Sequence, residues 1–285
     1  MPAKSLIQLD IDPGRIGRNF PVDVPLVGDA QTILTELVYH VHRLIRDGVT
    51  PASVWEKEEP LVRGHQRYIE PGLRISEQFP VTPQRWRCDL EEVLPNDTII
   101  FSDIGGHMLF NVHNLCIKDD QRFIINLGFG SMGHGTVAPI GAALAVPDRP
   151  IVAIIGDACF MMNGMEIITA AEENIPVIWI VENNQMHGIT WHGSRLVGKG
   201  LGLSSVKNKR PLPIAKMAEA MGLRSYMVDR AGQIQDVMRA ALAYPGPTLI
   251  EVLVDPYIPP PLGDRARSIA GFISSRPSPN AEDKS

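Results

Sequence analysis

Cysteine is scarce in this 285-residue sequence, which contains three cysteines, widely spaced along the chain. An odd number without a paired spacing argues against a disulfide framework and favours a reducing compartment, so we expect a cytoplasmic protein. Long apolar runs are also missing. No run approaches the roughly 18 residues of a membrane helix, and the first residues lack the apolar stretch of a signal peptide. We therefore expect no membrane association.

Runs of basic residues are absent as well. The net charge is −5, which argues against a nucleic-acid partner. What is present is ordinary for a globular protein, with 44% hydrophobic and 21% charged residues. At roughly 150 residues per domain, the chain is long enough for one or two domains with a large core.

The pattern of apolar and proline residues divides the chain into four parts. Residues 1–46 combine one strand-like segment with one helical apolar pattern, and such a pair cannot bury its faces alone. Residues 47–83 contain five prolines and little periodicity, which is typical of a linker. Residues 84–262 alternate between strand and helix patterns, and residues 263–285 form a polar tail.

The alternation after residue 84 predicts the fold class. Continuous apolar runs near residues 99–102, 123–126, 151–155, 176–181 and 248–254 are typical of strands buried on both faces. Helical patterns are predicted at residues 137–146, 214–221 and 234–243, and from an N-cap at Asn163 to about Asn174. This order predicts an α/β protein with a doubly wound parallel sheet and right-handed crossovers.

One βαβ unit carries the strongest chemical signal. The strand before it ends at Gly156-Asp157, and the next strand ends at Asn183-Asn184. Parallel strands end at the same edge, so Asp157 and Asn184 would lie about one strand spacing apart, roughly 5 Å, if the strands are neighbours. A carboxylate and an amide oxygen suit Mg²⁺, which fills its remaining positions with phosphate oxygens and water. The unit therefore predicts Mg²⁺ and a bound diphosphate, although a strand-end turn and a polar loop are the simpler alternative.

A glycine-rich turn, residues 128–133, gives a second signal. It matches G-x-G-x-x-G between a strand and a helix, and Asp157 follows at the end of the next strand. This is the fingerprint of a dinucleotide site, so a nicotinamide-dependent oxidoreductase is a rival interpretation. It leaves Asn183 and Asn184 without a role. A tight turn for close helix–sheet packing is the plainer explanation.

The sequence from Gly156 to Glu166, GDACFMMNGME, followed by ENNQ at residues 182–185, resembles the thiamin diphosphate motif, which begins GDG and ends NN. It is most similar to the acetolactate synthase (acetohydroxyacid synthase) family, in which GDGSFMMN-x-QEL, LLLNNQ and GLGTMG are typical. The resemblance covers about residues 84–256, and residues 7–37 resemble the end of that family's middle domain. It implies a thiamin diphosphate-binding fold preceded by a middle-domain fragment.

The resemblance also implies roles for individual residues. Asp157, Asn184 and the Met186 carbonyl would bind Mg²⁺, and Met132 would bend the cofactor into a V shape. Backbone at Ala158 and Cys159 would approach the diphosphate. The implied cofactor-binding residues are Gly106, His107, Gly130, Ser131, Met132, Gly156, Asp157, Ala158, Cys159, Asn184, Met186, His187 and Gly188.

Some positions depart from the family pattern. Ala158 replaces the third motif glycine, which a backbone contact tolerates only if its φ is negative. Gly106 replaces a usual glutamine. Trp191 is not a clean match to the family's tryptophan. His187, His192 and Trp191 are candidates near the substrate, and for the two histidines polar loop residues are the alternative. No catalytic residue is assigned with certainty in this chain.

The family's reaction needs a glutamate that protonates the cofactor, and in the family this residue lies in an N-terminal pyrimidine-binding domain. The resemblance begins after that domain, so we expect a partner subunit to supply the catalytic Glu and a hetero-oligomer built on dimers. The chain would be the C-terminal subunit of a split enzyme acting on small 2-oxo acids, first a carboligase, with a decarboxylase or C–C lyase as the alternative. A non-catalytic cofactor-binding subunit is a further alternative.

Overall fold

The computed structural model describes residues 6–49, 68–118, 120–197 and 200–261. The middle of the predicted linker, residues 50–67, and the polar tail therefore lie outside the described residues. The chain divides into two compact units, residues 1–66 and 67–285, which are described separately. Within the described ranges, no helix has the length and hydropathy to cross a bilayer.

The first unit contains two parallel strands and one long helix. Strand β1 (Ile7–Asp10) pairs with β2 (Val24–Val27), and helix α1 follows (Ala30–Arg46). The helix begins after Asp29, whose carboxylate accepts a hydrogen bond from the Thr32 amide at 2.9 Å. No residue between 6 and 49 is buried. The predicted strand and helix are confirmed, and residues 6–49 contain no core of their own.

The second unit is built on a six-stranded, all-parallel sheet in the order β4-β3-β5-β6-β8-β7. Its strands are β3 (Ile99–Ser102), β4 (Arg122–Ile125), β5 (Ile151–Gly156), β6 (Val177–Asn183), β7 (Arg224–Val228) and β8 (Thr248–Leu253). Its helices are α2 (Pro83–Glu91), α3 (Gly106–Asn114), α4 (His134–Ala145), α5 (Asp157–Asn163), α6 (Ile167–Glu172), α7 (Gly188–Val197), α8 (Ile214–Ala220) and α9 (Gln233–Leu242). The predicted doubly wound α/β fold is confirmed.

Two hydrophobic cores cover the two faces of this sheet. Alternate residues of β5 belong to different cores, because successive side chains of a strand point to opposite faces. Ile151, Ala153 and Ile155 pack in one core with residues of α4, α5, α6 and α8. Val152 and Ile154 pack in the other with residues of α2 and α9. Both faces are therefore apolar, which explains the continuous apolar runs in the sequence.

The strand order places a topological switch point between β3 and β5. The chain leaves β3 towards β4 on one side, and from β4 it returns past β3 to β5. The loops after β3 and β5 therefore run in opposite directions and leave a crevice at the carboxyl ends of these strands, where ligands bind in open parallel sheets. Asp103 follows β3 and Asp157 follows β5, so both lie at this crevice.

Two local expectations are corrected. Asn163 does not cap a helix: it is the last residue of α5, and α6 starts only at Ile167. Its side chain instead packs against the backbone of Gly133, where an added Cβ would lie 2.9 Å from Asn163 Cγ. The second unit also includes residues before position 84, since Val81 and Thr82 are buried in it and Val81 bridges to Val254 beside β8.

Candidate cofactor site

A cleft lies at the carboxyl ends of β3, β5 and β6. It is lined by 16 residues from the segments that follow these strands and from the turn before α4. Eleven of the thirteen predicted cofactor residues line it: Gly106, His107, Met132, Gly156, Asp157, Ala158, Cys159, Asn184, Met186, His187 and Gly188. Gly130 and Ser131 lie on the glycine-rich turn outside this lining. The topology thus brings together residues that are up to 82 positions apart.

Asp157 lies where β5 ends and α5 begins. Strands β5 and β6 are neighbours, with Gly156 opposite Glu182, so the predicted adjacency of the two motifs is confirmed. One carboxylate oxygen of Asp157 accepts a hydrogen bond from the Ala158 amide at 2.9 Å, and the other, Oδ2, is buried without a hydrogen-bond partner in the described chain. Burial raises the pKa of Asp157 to about 7, and the nearby charge of Glu182 adds to this shift. A buried oxygen without a partner is chemically suited to a cation.

The two asparagines at the end of β6 have different surroundings. Asn183 is buried, and its amide donates to Glu251 Oε1 at 2.6 Å and to the Leu212 carbonyl at 3.1 Å. Asn184 lines the cleft, and its Oδ1 accepts a hydrogen bond from the Met186 amide at 3.1 Å. Asn183 is therefore part of the scaffold, and Asn184 is the member of the pair that faces the cleft.

Glycine permits close approach at two points of the cleft. A Cβ at Gly156 would lie 2.8 Å from His107 Nδ1, and a Cβ at Gly188 would lie 2.5 Å from Asn184 Nδ2. Ala158, in place of a motif glycine, lies in the first turn of α5 and is not among the described residues with positive φ. Alanine is therefore compatible with the backbone conformation at this position, and its amide donates to Asp157 Oδ1.

His107 and Asp103 shape the cleft from the β3 side. His107 is fully buried, its Nε2 has no hydrogen-bond partner in the described chain, and burial together with the charge of Arg87 lowers its pKa to about 3. Asp103 is also buried, and burial raises its pKa. Its carboxylate accepts hydrogen bonds from the amides of Ile104 at 2.8 Å and Gly133 at 2.9 Å, which fastens the glycine-rich turn to β3.

The three candidates near the substrate lie in different places. His187 is exposed and lines the cleft. His192 Nε2 donates a hydrogen bond to the Pro256 carbonyl at 3.1 Å, and His192 borders a larger cavity of about 560 Å³. Trp191 is buried outside the cleft lining, with the Lys207 ammonium 4.7 Å and the Arg195 guanidinium 4.8 Å from its ring. Their roles stay predictions.

Sequence reasoning missed two buried charges at the cleft. Glu182 lines it beside Asn184, and its Oε2 accepts a hydrogen bond from Arg87 Nη1 at 2.6 Å. Both side chains are almost inaccessible to solvent. The signal for Glu182 was available, because it is the one charged residue in the otherwise apolar strand β6. No local pattern points to Arg87, which lies 95 positions away.

The residues present fit a divalent cation and a diphosphate. The described residues contain no cluster of three or more His, Cys, Asp or Glu side chains suited to a metal. A site here would therefore depend on one carboxylate with amide and carbonyl oxygens, the hard donor set that Mg²⁺ accepts when phosphate and water complete its coordination. The unpartnered oxygen of Asp157 and the glycine cradle at Gly156 supply the specific features.

Comparison with known proteins agrees with this site. Residues 103–252, more than half of the chain, match the family model for the C-terminal TPP-binding domain of thiamine pyrophosphate enzymes, where thiamine pyrophosphate (TPP) is thiamin diphosphate. This range includes the G-x-G-x-x-G turn, which therefore belongs to a TPP-binding domain in this chain.

Curated relatives point to the same family. The probable acetolactate synthase large subunit of Methanocaldococcus jannaschii is 30% identical over 97% of this chain and 47% of its own length. That of Methanococcus aeolicus is 28% identical over 95% of this chain, and the acetolactate synthase large subunit of Porphyra purpurea is 28% identical over 87%. The chain spans about half the length, or less, of these relatives. On the family model, the topology and the cleft together, the chain belongs to the thiamine pyrophosphate enzyme family and carries its C-terminal TPP-binding domain.

Proposed function

We propose that this chain is the diphosphate-binding part of a thiamin diphosphate- and Mg²⁺-dependent enzyme that acts on 2-oxo acids, with carboligation of the acetolactate synthase type. The observation that carries the proposal is the cleft at the switch point, where Asp157 Oδ2 is buried without a hydrogen-bond partner in the described residues and Asn184, from the end of the neighbouring strand, lines the same cleft. The names of the relatives support the reaction type.

The chain's own residues would hold the cofactor in three ways. Asp157 and Asn184 side chains and the Met186 carbonyl would bind Mg²⁺. Backbone amides at the start of α5 and the neutral His107 would contact the diphosphate, since free N–H groups at a helix start favour anions. Bound thiamin diphosphate supplies a nucleophilic carbon and an electron sink for the decarboxylation of 2-oxo acids.

A partner chain would supply the catalytic glutamate. Within the described part of the chain, the one glutamate that lines the cleft is Glu182, and its carboxylate is already paired with Arg87. Glu166, on the motif segment, is exposed. A hydrogen-bonded and ion-paired carboxylate is a poor proton donor to a cofactor, so the proposal assigns this step to another polypeptide with a pyrimidine-binding domain.

Exposed apolar side chains next to the cleft support a partner surface. Phe129, on the glycine-rich turn, is 92% exposed, and Met161, Met162 and Met165, which follow Asp157, are each at least half exposed. Clustered exposed apolar residues mark interaction sites in soluble proteins. The proposed assembly is a hetero-oligomer built on dimers in the cytoplasm, in which a pyrimidine-binding domain covers this surface.

Binding tests the cofactor assignment. Thiamin diphosphate with Mg²⁺ should raise the melting temperature of the chain, and NAD should not. Asp157→Ala should weaken Mg²⁺-dependent binding by more than about 100-fold, because loss of a residue that only supports a metal ligand already costs 10–100-fold. Asp148→Ala removes an exposed carboxylate elsewhere in the unit and is the matched control. Unchanged metal dependence in Asp157→Ala would refute the metal assignment.

Catalysis tests the reaction and the shared site. The chain is mixed with a candidate partner that carries a pyrimidine-binding domain. The consumption of pyruvate is measured, and the products formed from it are identified. A ligated product supports carboligation, whereas release of the aldehyde alone indicates a decarboxylase. Full activity of the chain without the partner contradicts the shared site. Cofactor binding without consumption of any 2-oxo acid indicates a non-catalytic subunit.

A further inference from the structure

The buried guanidinium of Arg87 is the most heavily bonded side chain near the cleft. Its Nε donates to Asn111 Oδ1 at 2.6 Å, and Nη1 donates to the Pro83 carbonyl and to Glu182 Oε2, both at 2.6 Å. Nη2 donates to the His107 carbonyl at 3.1 Å. Four of the five N–H donors of the group are therefore used within the protein.

Aromatic rings fix the same group from its sides. The centre of the guanidinium lies 4.3 Å from the Trp86 ring and 5.3 Å from the Phe110 ring. The Trp86 indole also donates to Glu182 Oε2, at 3.1 Å. Arg87 and Glu182 thus form one buried ion pair whose geometry is set by hydrogen bonds and by ring contacts.

The partners of this pair belong to the elements that form the cleft. Glu182 is the last residue but one of β6 and lies two residues before Asn184, and His107 is the second residue of α3 and lines the cleft. Asn111 continues the network, because its amide donates to Ser102 Oγ at the end of β3 at 2.9 Å. A single guanidinium therefore connects the segments after β3 and β6, on both sides of β5.

Stability alone gives little reason for such a pair. In many proteins the free energy of removing two charges from water exceeds the free energy gained from their attraction. Well-packed apolar residues of similar size then give equal or greater folding stability. The family segment LLLNNQ has leucine at the position of Glu182. We infer that Arg87 and Glu182 are a positioning pair, which holds His107 and Asn184 at the spacing that the diphosphate and its metal require. This inference rests on the proposed cofactor.

The test replaces the whole pair by apolar residues of similar size. Arg87→Met/Glu182→Leu removes both charges of the pair, so neither is left buried without its partner, and the melting temperature should fall less than in Arg87→Met alone. The affinity for thiamin diphosphate with Mg²⁺, measured by titration calorimetry on the full chain, should fall by at least about 10-fold. Hydrogen–deuterium exchange in residues 104–111 and 183–188, measured without cofactor, should become faster.

The matched control is the ion pair between Arg85 and Asp89 on the same helix, whose atoms lie 2.9 Å apart and contact no residue of the cleft. Arg85→Met/Asp89→Leu should keep the parent affinity and the parent exchange at both segments.

If Arg87→Met/Glu182→Leu also keeps both the parent affinity and the parent exchange, the inference is wrong and the pair only contributes to packing. Should this variant fail to fold, Glu182→Gln, which preserves shape and an acceptor oxygen, is judged by the same two measurements. A parent chain that does not bind the cofactor refutes the proposed function, and the exchange result then decides the inference by itself.

Discussion

The two units of the chain differ in how their secondary structure is stabilised. In the first, residues 6–49 form two strands and a 17-residue helix with no buried side chain. In the second, β5 and β6 are buried along their entire length, between two cores. The elements of the first unit therefore leave their apolar side chains exposed, and Leu34, Val38 and Val41 of α1 form an exposed apolar stripe.

Core substitution should give the largest difference between the units. Trp179 is fully buried, and its indole donates to the Thr136 carbonyl at 3.0 Å. Trp179→Ala should lower the free energy of unfolding by about 3–5 kcal/mol, because it leaves a cavity in the core. Leu34→Ala, on the 54% exposed position of α1, should change it by less than about 0.5 kcal/mol. Urea unfolding followed by circular dichroism measures both, and equal effects would contradict the contrast.

A buried histidine should make the stability of the second unit depend on pH. His107 has a pKa of about 3 in the folded chain against about 6.5 when unfolded, so the unfolded state binds the extra proton between these values. Its contribution to stability is complete above pH 6.5 and is lost at up to about 1.4 kcal/mol per pH unit as the pH falls towards 3. His107→Asn should flatten this slope by about one proton. The exposed His187→Asn is the control and should retain the parent slope.

A buried helix cap should have a smaller effect. The Thr82 hydroxyl accepts a hydrogen bond from the Arg85 amide at 3.1 Å and donates to the Leu73 carbonyl at 2.6 Å. Thr82→Ala should lower the free energy of unfolding by about 1–2 kcal/mol. Thr82→Ser keeps the hydroxyl and should recover most of this loss. An equal loss in both variants would assign the effect to the missing methyl group.

The exposed cap of α1 should have the smallest effect. The Thr32 amide hydrogen bond lowers the pKa of Asp29, which shows that the ionised side chain is the capping form. Asp29→Ala should reduce the helical circular dichroism signal slightly and leave the unfolding midpoint of the second unit unchanged. Gln31→Ala, two residues further along in the first turn of the helix and also exposed, is the control. A shift of that midpoint in Asp29→Ala alone would contradict the independence of the cap from the core.

The sequence identifies the most apolar strands but misses several exposed or polar elements. The runs at β5, β6 and β8 are visible because apolar residues on both faces leave few polar interruptions, such as Glu182 in β6 and Glu251 in β8. Strand β7 was missed, because it is an edge strand whose residues Arg224 and Met227 are exposed. Helix α2 was missed for a related reason: its sequence PQRWRCDLE is strongly polar, although most of its residues are buried.

The residues of the candidate site also differ in whether the sequence predicts them. Asp157 and Asn184 were found because each ends a predicted strand, and the parallel pairing of β5 and β6 then brings them to one edge. The pair of Arg87 and Glu182 was not found, since its contacts join segments 95 positions apart that no periodicity relates. Chemistry located at strand ends follows from topology, whereas a buried polar network becomes visible only when the helices have been placed.

The neighbouring asparagines at the end of β6 have a consequence for protein engineering. Asn183 is hydrogen-bonded to Glu251 of β8 and to the Leu212 carbonyl before α8. The Glu251 carboxylate also accepts a hydrogen bond from the Ala215 amide of α8 at 2.7 Å. Asn184, the next residue, faces the cleft. Substitutions at Asn184 would therefore act on the cleft and on the proposed metal site, whereas substitutions at Asn183 would act on the scaffold. An insertion or deletion between them would disturb both positions at once. The two asparagines thus mark the point at which β6 ends and the cleft begins.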